Sequence, residues 1–481
     1  MPMIWPTLKN RIRAAKRALQ EHSPTIQGAD PKIQFIIDPV AAKHALMKHE
    51  LVTGNYGDSS DDESSDCPAG PCTSYYANLY KPTKPTTLLQ HALTNANGDA
   101  WFRQRYCVSR AFSVDKSLRV NCGTYAAEKM MEMIQQSQSA STRCDFCGVG
   151  RGNNGIISTS TLDVRCLARE VAVLAMLRMV FGTTYGKQHE MIDALRGMVL
   201  DSLEPVRNDD KVVEARNRAM RLDGLVRGAI EAIALENDSK VGKNCLAKRL
   251  LEFETDEKEY YLTRDEVVSN AHSALLAGTQ TICTTIAGAL AHLAQASDLQ
   301  RDLKTGSLSG RDIVIETLRI LPPVAGLPRY PNESILGLAT GKKEDTIFNS
   351  HCPIEKGQML IVDLLAFAHS QPHSQPIDKN GSVGAKSEFA SLKFEPRKEK
   401  QSEDQPWGIG KRKCPAGIIS VECISIIFQH ISSRNVTWEF AQPKKDVVDD
   451  ASCGGWIDSI SYCPTLKFSR EIRIKFFESK F

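Results

Sequence analysis

The run Trp407-Gly408-Ile409-Gly410-Lys411-Arg412-Lys413-Cys414-Pro415-Ala416-Gly417 presents one cysteine at the end of a basic, glycine-bearing loop, just ahead of an apolar stretch. A thiolate that binds iron must be deprotonated, held in fixed geometry and shielded from oxidation. Gly408 and Gly410 allow a turn that side chains would block, and a helix starting near Pro415 sets its positive end by the sulfur. Lys411, Arg412 and Lys413 suit propionate carboxylates and lower a neighbouring thiol's pKa. The segment reads as a haem-thiolate loop with Cys414 as ligand; the competing reading is a basic surface turn with an ordinary buried thiol.

Three further segments could do chemistry. Trp101 and Arg105 are four apart and share one helix face. A donor-only indole and a permanently charged guanidinium suit a carboxylate at a buried edge, although an amphipathic helix with a half-buried Trp has the same pattern. Glu316 and Arg319, at i and i+3, can pair on a helix that Pro322-Pro323 then ends; an exposed surface pair would look alike. Asn270 to Thr281 lies in a long apolar stretch running to about Ala296, a pattern that belongs in a core. Its break at Gly278 to Thr281 is what a buried helix carries where a ligand approaches its backbone, since Gly in a helix costs about 1 kcal/mol against Ala.

Order and spacing of these segments resemble the cytochrome P450 family. The family's cysteine loop has the pattern Phe-x-x-Gly-x-Arg-x-Cys-x-Gly, and Trp407, Gly410, Arg412 and Cys414 stand at corresponding positions, with Trp407 for the usual Phe and Ala416 for the second Gly. Trp101 and Arg105 match its Trp-x-x-x-Arg element, which addresses a haem propionate; Arg329 stands where many relatives place another propionate-binding residue. Glu316 and Arg319 match an ion-pair network whose third member is placed at Arg397. Ala277, Gly278 and Thr281 match the oxygen-side groove, where Gln280 replaces the usual acid. Gln280 can hydrogen-bond water but cannot titrate, so a water chain anchored by Thr281 would have to deliver protons.

The resemblance implies a mainly α fold with small β-sheets, holding haem b between the long central helix and the cysteine loop. It implies a monooxygenase that uses O2, a small apolar substrate and a separate electron donor, either a reductase or a ferredoxin, because the chain has no room for a flavin domain. Two rivals stand beside it: a haem-thiolate isomerase or dehydratase acting on hydroperoxides, and a member that binds haem without catalysis. Substrate contacts are implied before Trp101, around Thr183 to Gly186, from Ala274 to Thr281, at Val324 to Leu327 and at Asp458 to Ser461.

The elements that must position these residues are read as one domain of 481 residues, with 42% apolar and 24% charged residues and a formal net charge of +3. That balance gives no footprint for nucleic acid. Residues 1–30 form a basic opening region in which Lys9, Arg11, Arg13, Lys16 and Arg17 flank an apolar side of Leu8, Ile12, Ala15 and Leu19; it either touches an acidic membrane or is solvated. No apolar run reaches the length of a transmembrane helix, which places the chain in the cytoplasm or on an intracellular membrane, with any anchor absent from this sequence. The fourteen cysteines lack regular spacing and suit a reducing compartment; Cys144-Asp145-Phe146-Cys147 has no second pair for zinc. His369 and His373 are read as solvated loop histidines. Residues 57–70, an acidic insertion, and 137–154 and 371–386 are read as loops; strand-like pieces lie at 32–37, 358–364 and 472–477.

Overall fold

The computed structural model describes residues 8–20, 25–27, 33–37, 42, 51–52, 88–96, 98–113, 116–139, 161–182, 188–203, 209–235, 245–254, 259–331, 359–370, 394, 396, 406–434, 436–441, 460–462, 466–468 and 471–478. The chain is mainly helical, with small sheets, as the sequence leads one to expect. Helices are α1 (Leu8–Gln20), α2 (Gly98–Phe112), α3 (Lys116–Ser139), α4 (Val164–Phe181), α5 (Gln188–Leu203), α6 (Asp209–Leu235), α7 (Leu246–Leu251), α8 (Arg264–Gln295), α9 (Ser297–Thr305), α10 (Gly310–Ile320), α11 (Leu364–Ser370) and α12 (Gly417–Ser433).

The longest, α8, starts at a reciprocal cap: the Thr263 hydroxyl accepts from Glu266 N–H at 3.2 Å and the Glu266 carboxylate accepts from Thr263 N–H at 2.8 Å. It is buried on most sides and packs heavily on α4. By length and composition it passes as a membrane span, yet its apolar surface is already spent inside this fold. Ser309 and Asp312 cap α10 in the same reciprocal way, and the helix ends at Ile320 with Leu321 as its cap, ahead of the diproline. Close approach fixes α12: a Cβ on Gly123 would lie 2.9 Å from the Cys423 carbonyl oxygen, and one on Gly310 would lie 2.2 Å from that of Ser425.

Among the described residues ten strands make three sheets: β1 (Thr25–Gln27), β2 (Ile33–Ile36), β3 (Leu51–Val52), β4 (Thr161–Asp163), β5 (Gly326–Pro331), β6 (Met359–Asp363), β7 (Val436–Phe440), β8 (Ile460–Tyr462), β9 (Leu466–Phe468) and β10 (Arg473–Glu478). The largest runs β1-β2-β6-β5-β3, antiparallel except for β2 with β6, whose register pairs Phe35 with Ile361. A second sheet, β4-β10-β7, is pinned to α8 by the Trp438 indole, which donates to the Leu290 carbonyl at 3.0 Å. The hairpin β8–β9 reaches the same helix where the Thr284 hydroxyl meets the Leu466 carbonyl at 3.5 Å, and its Leu466 N–H donates to the Pro323 carbonyl at 2.9 Å.

Two readings change. Arg11, expected on a basic solvated or membrane face, is wholly buried in an ion pair with Asp363, its guanidinium 4.5 Å from the Phe35 ring centroid. Asp363 also accepts from the Ala366 N–H at 2.9 Å, so one carboxylate holds α1 and starts α11. A buried charge of this kind must be paired, and Ile12 and Ala15 are buried beside it. His369, read as a solvated loop residue, is buried in α11 with Nε2 3.0 Å from the Ile320 carbonyl. Cys144 to Cys147, His373, residues 57–70 and 371–386, and all of 137–154 beyond Ser139 lie outside the described residues.

Candidate active site

The cysteine loop closes on itself through two backbone bonds, Cys414 N–H to the Trp407 carbonyl at 2.9 Å and Lys413 N–H to the Gly410 carbonyl at 3.1 Å. Gly408 and Gly410 have φ of 75° and 78°, a region that L side chains rarely enter, so the loop needs glycine at both. The Trp407 indole lies where a Cβ on Gly417 would be, 3.1 Å from the nearest ring atom, and so packs the loop against the first turn of α12.

Cys414 is surrounded by protein and burial pushes its thiol pKa up, while a hydrogen bond from the Ala416 backbone, Arg105 and Lys413 pull it down. Yet its side chain remains accessible. The two facts agree if the sulfur opens on an internal space that the chain itself does not fill. The middle of α8 repeats the pattern: between buried neighbours, Ala277 is exposed and Gly278 and Thr281 are half-buried. Ala277 and Thr281, four apart, form one accessible stripe on a core helix.

Around the loop the expected cations converge. The Arg412 guanidinium stacks on the Trp101 ring at 4.6 Å and donates to the Ala96 carbonyl at 3.2 Å. Burial, then the nearby Arg329 and Arg105, push its pKa down to about 10. Arg105 is itself lowered by burial and supported by Cys414, and it pairs with no carboxylate among the described residues. Arg329 is buried on β5. Three mutually repelling guanidiniums and an indole beside an accessible cysteine fit a planar group that carries two carboxylates: anionic oxygens would relieve the repulsion, and the thiol would meet the metal. Among the described residues no cluster of His, Cys, Asp and Glu could hold a metal ion by itself.

On α8 the Thr281 hydroxyl donates to the Ala277 carbonyl at 2.8 Å, with the Gly278 carbonyl at 3.4 Å. Thr285 donates back to Thr281 in the same manner at 2.9 Å. Gln280, which stands in place of the usual acid, is buried. The notch at Gly278 has another use than the one expected: a Cβ there would lie 2.5 Å from both Sδ and Cε of Met176 on α4. The thioether, rather than a ligand, occupies the space that glycine leaves.

Glu316 is buried and receives both Arg319 nitrogens at 2.8 Å. Arg397 lies outside the described residues, as do Thr183 to Gly186 and Asp458. Val324 and Leu327 are half-buried, and the β8–β9 hairpin approaches α8 where Thr284 meets the Leu466 carbonyl at 3.5 Å. Sequence reasoning missed the brace behind Trp101. Arg103 grips Glu266 at 2.8 and 2.6 Å, Gln104 donates to Glu266 at 2.9 Å, and Asn270 accepts from Leu93 N–H at 3.0 Å while donating to Gln104 at 3.1 Å. The Thr263-x-x-Glu266 cap was the one visible sign of it. It also missed His292, stacked on Phe394 at 4.2 Å beside Arg319.

A family model described as Cytochrome P450 matches residues 75–306, a stretch that includes Trp101, Arg105 and Ala277 to Thr281 and ends before Glu316 and Cys414. The chain is similar in fold to a myxobacterial cytochrome P450, CYP267B1, crystallised with myristic acid (TM-score 0.66, 15% identity, 98% of this chain and 97% of that one). It is similar to CalO2 (0.65, 14%, 98% and 97%) and to CYP109E1 from Bacillus megaterium in complex with corticosterone (0.63, 14%, 97% and 98%). No curated protein matches the chain in sequence.

Proposed function

Because the chain belongs to the cytochrome P450 family, whose members bind haem b, we propose that it is a haem-thiolate monooxygenase that oxidises a small apolar substrate with O2. The observation that carries this reading is the accessible Cys414 thiol inside a desolvating site bordered by Arg105, Arg412 and Trp101. Bound there, haem supplies the thiolate-ligated iron at which dioxygen is activated.

The chain's own residues do the rest. Cys414 ligates the iron, and the Ala416 N–H, Arg105 and Lys413 favour its thiolate against the cost of burial. Arg105, Arg412, Trp101 and Arg329 take the two carboxylates, with Arg412 held rigid by its stack on the indole. Trp407 and Gly410 shape the loop. Ala277 leaves room at the oxygen side, and Thr281, whose proton is already given to the Ala277 carbonyl, keeps lone pairs to order a water. Gln280 orients that water without titrating, and Gly278 lets Met176 settle against the groove. Glu316 and Arg319, with Arg397 as third partner, hold the segment that leads into the loop.

Half-buried Val324 and Leu327 support an apolar substrate, as do relatives crystallised with myristic acid and with corticosterone. Electrons come from a separate reductase or ferredoxin. The seven described cysteines are all free thiols, which supports a reducing compartment.

The test is the reduced carbon monoxide difference spectrum of the purified protein beside Cys414→Ser. A red-shifted thiolate band that the substitution abolishes supports the site; no haem signal, or one unchanged by it, overturns the reading. Hydroperoxide turnover without any reductant would move the chain to isomerase or dehydratase chemistry, and haem uptake with neither activity would leave a binding protein.

A further inference from the structure

Along the outer side of α2 runs an open cleft of about 610 Å³, lined by Phe102, Arg105, Tyr106, Ser109, Arg110 and Tyr260 with Ser113 at its end. Two of the chain's exposed large apolar side chains, Phe102 and Tyr106, stand in it at 49% and 41% exposure. An exposed Phe and Tyr one turn apart are expensive to leave wet and unusual unless something covers them. Tyr260 lies against Tyr106 with ring centroids 4.4 Å apart, which makes an aromatic wall rather than isolated rings. Cations alternate with the rings: Lys411 sits 5.5 Å from the Phe102 centroid and Arg110 5.4 Å from that of Tyr106. Neither Arg105 nor Arg110 pairs with a carboxylate among the described residues. At the rim Glu259 takes the hydroxyl of Tyr260 and so is engaged. The Ser113 hydroxyl is spent on the Ser109 carbonyl at 3.0 Å.

We propose that this cleft, which shares Arg105 with the cofactor site, binds a small planar aromatic anion, an aromatic carboxylate or phosphate ester, with its ring against Phe102 and Tyr106 and its charge on Arg110. Aromatic faces recognise a flat ring of any identity, and a guanidinium without a carboxylate partner recognises carboxylate or phosphate in a bidentate manner. The volume is that of sites which take one small organic molecule. Arg105 lines both this cleft and the cofactor site and lies near Cys414.

The experiment titrates naphthyl phosphate into the full-length purified protein by isothermal calorimetry, beside naphthol as the uncharged analogue, with Arg110→Gln and Tyr106→Ala as variants. Both substituted residues are exposed, and circular dichroism reports whether each variant is folded. Saturable one-to-one binding is expected, weakened about tenfold in Arg110→Gln, about fivefold in Tyr106→Ala, and lost with naphthol. Equal affinity in the wild type and both variants would put the ligand in another cavity and overturn the proposal. So would the absence of saturable binding, whatever larger acidic surface the face then accepts. The readout does not depend on haem content or turnover, so its failure is separate from failure of the oxygenase reading.

Discussion

Replacing Gly278 by Ala tests whether the notch in α8 exists for Met176. The added Cβ would lie 2.5 Å from Sδ and Cε, about 1 Å inside ordinary contact. Overpacking of this kind costs about 1–3 kcal/mol, reduced because a thioether end can swing away, and the intrinsic helix gain of Ala over Gly returns about 1 kcal/mol. The net expectation is destabilisation by about 1 kcal/mol. In a Met176→Ala background, itself costing about 2–5 kcal/mol, the same change meets no clash and fills part of the hole, so it should stabilise by about 1 kcal/mol. The coupling of about 2 kcal/mol lies within the range for touching residues. With an unfolding entropy of about 2.1 cal/mol/K per residue over 481 residues, 1 kcal/mol moves the midpoint by about 1 °C. Scanning calorimetry of the four haem-loaded proteins therefore reads a sign change spanning about 2 °C. If Gly278→Ala destabilises both backgrounds equally, something other than Met176 requires the glycine.

Burial, followed by Arg319, pushes the His292 imidazole down to about 3. The unfolded chain takes up that proton near pH 6.5 while the folded one does not, so the stabilisation is whole above about pH 6.5 and drains as pH falls toward 3, at up to about 1.4 kcal/mol per unit. Denaturation midpoints measured across that window should fall less steeply for His292→Phe, which keeps a ring against Phe394. Glu316→Gln leaves Arg319 without its buried counter-charge and should cost about 3–5 kcal/mol, read as a much lowered thermal midpoint and loss of the carbon monoxide band. Arg105→Gln removes one of the groups that hold the Cys414 thiol down, so its alkylation profile in haem-free protein, followed by mass spectrometry, should move to higher pH. Gly224→Ala, exposed on α6 with nothing within 4 Å of the new methyl, should stabilise by about 1 kcal/mol, visible as a midpoint raised by about 1 °C.

Legibility followed the range of the interaction. The glycines of the cysteine loop and the i, i+3 pair of Glu316 with Arg319 are local, and local spacing announces them. The strands near residues 33, 359 and 473 were readable from apolar runs. The stack of Arg412 on Trp101 and the seat of Met176 at Gly278 join segments far apart in the chain, and no spacing encodes them. Arg11 is an intermediate case. It lies three residues after Leu8 and four before Ala15, beside the apolar stripe, but its charge grouped it with the basic face, and its partner Asp363 is 352 positions away. Gln280 was legible as a missing acid, but its burial was not, because a helix buried all round carries no polar face to orient it.

The ion pair of Arg11 with Asp363 also sets an order in time. The two residues are 352 positions apart, and both are sealed from water in the finished chain. At a synthesis rate of about 5–20 residues per second, the arginine waits roughly 20–70 s for its carboxylate. Until then the first helix lacks its main packing partner, α11, which begins at Leu364. Helix α1 is thus among the last elements to settle, and a nascent chain cut short anywhere before Asp363 carries Arg11 without its carboxylate.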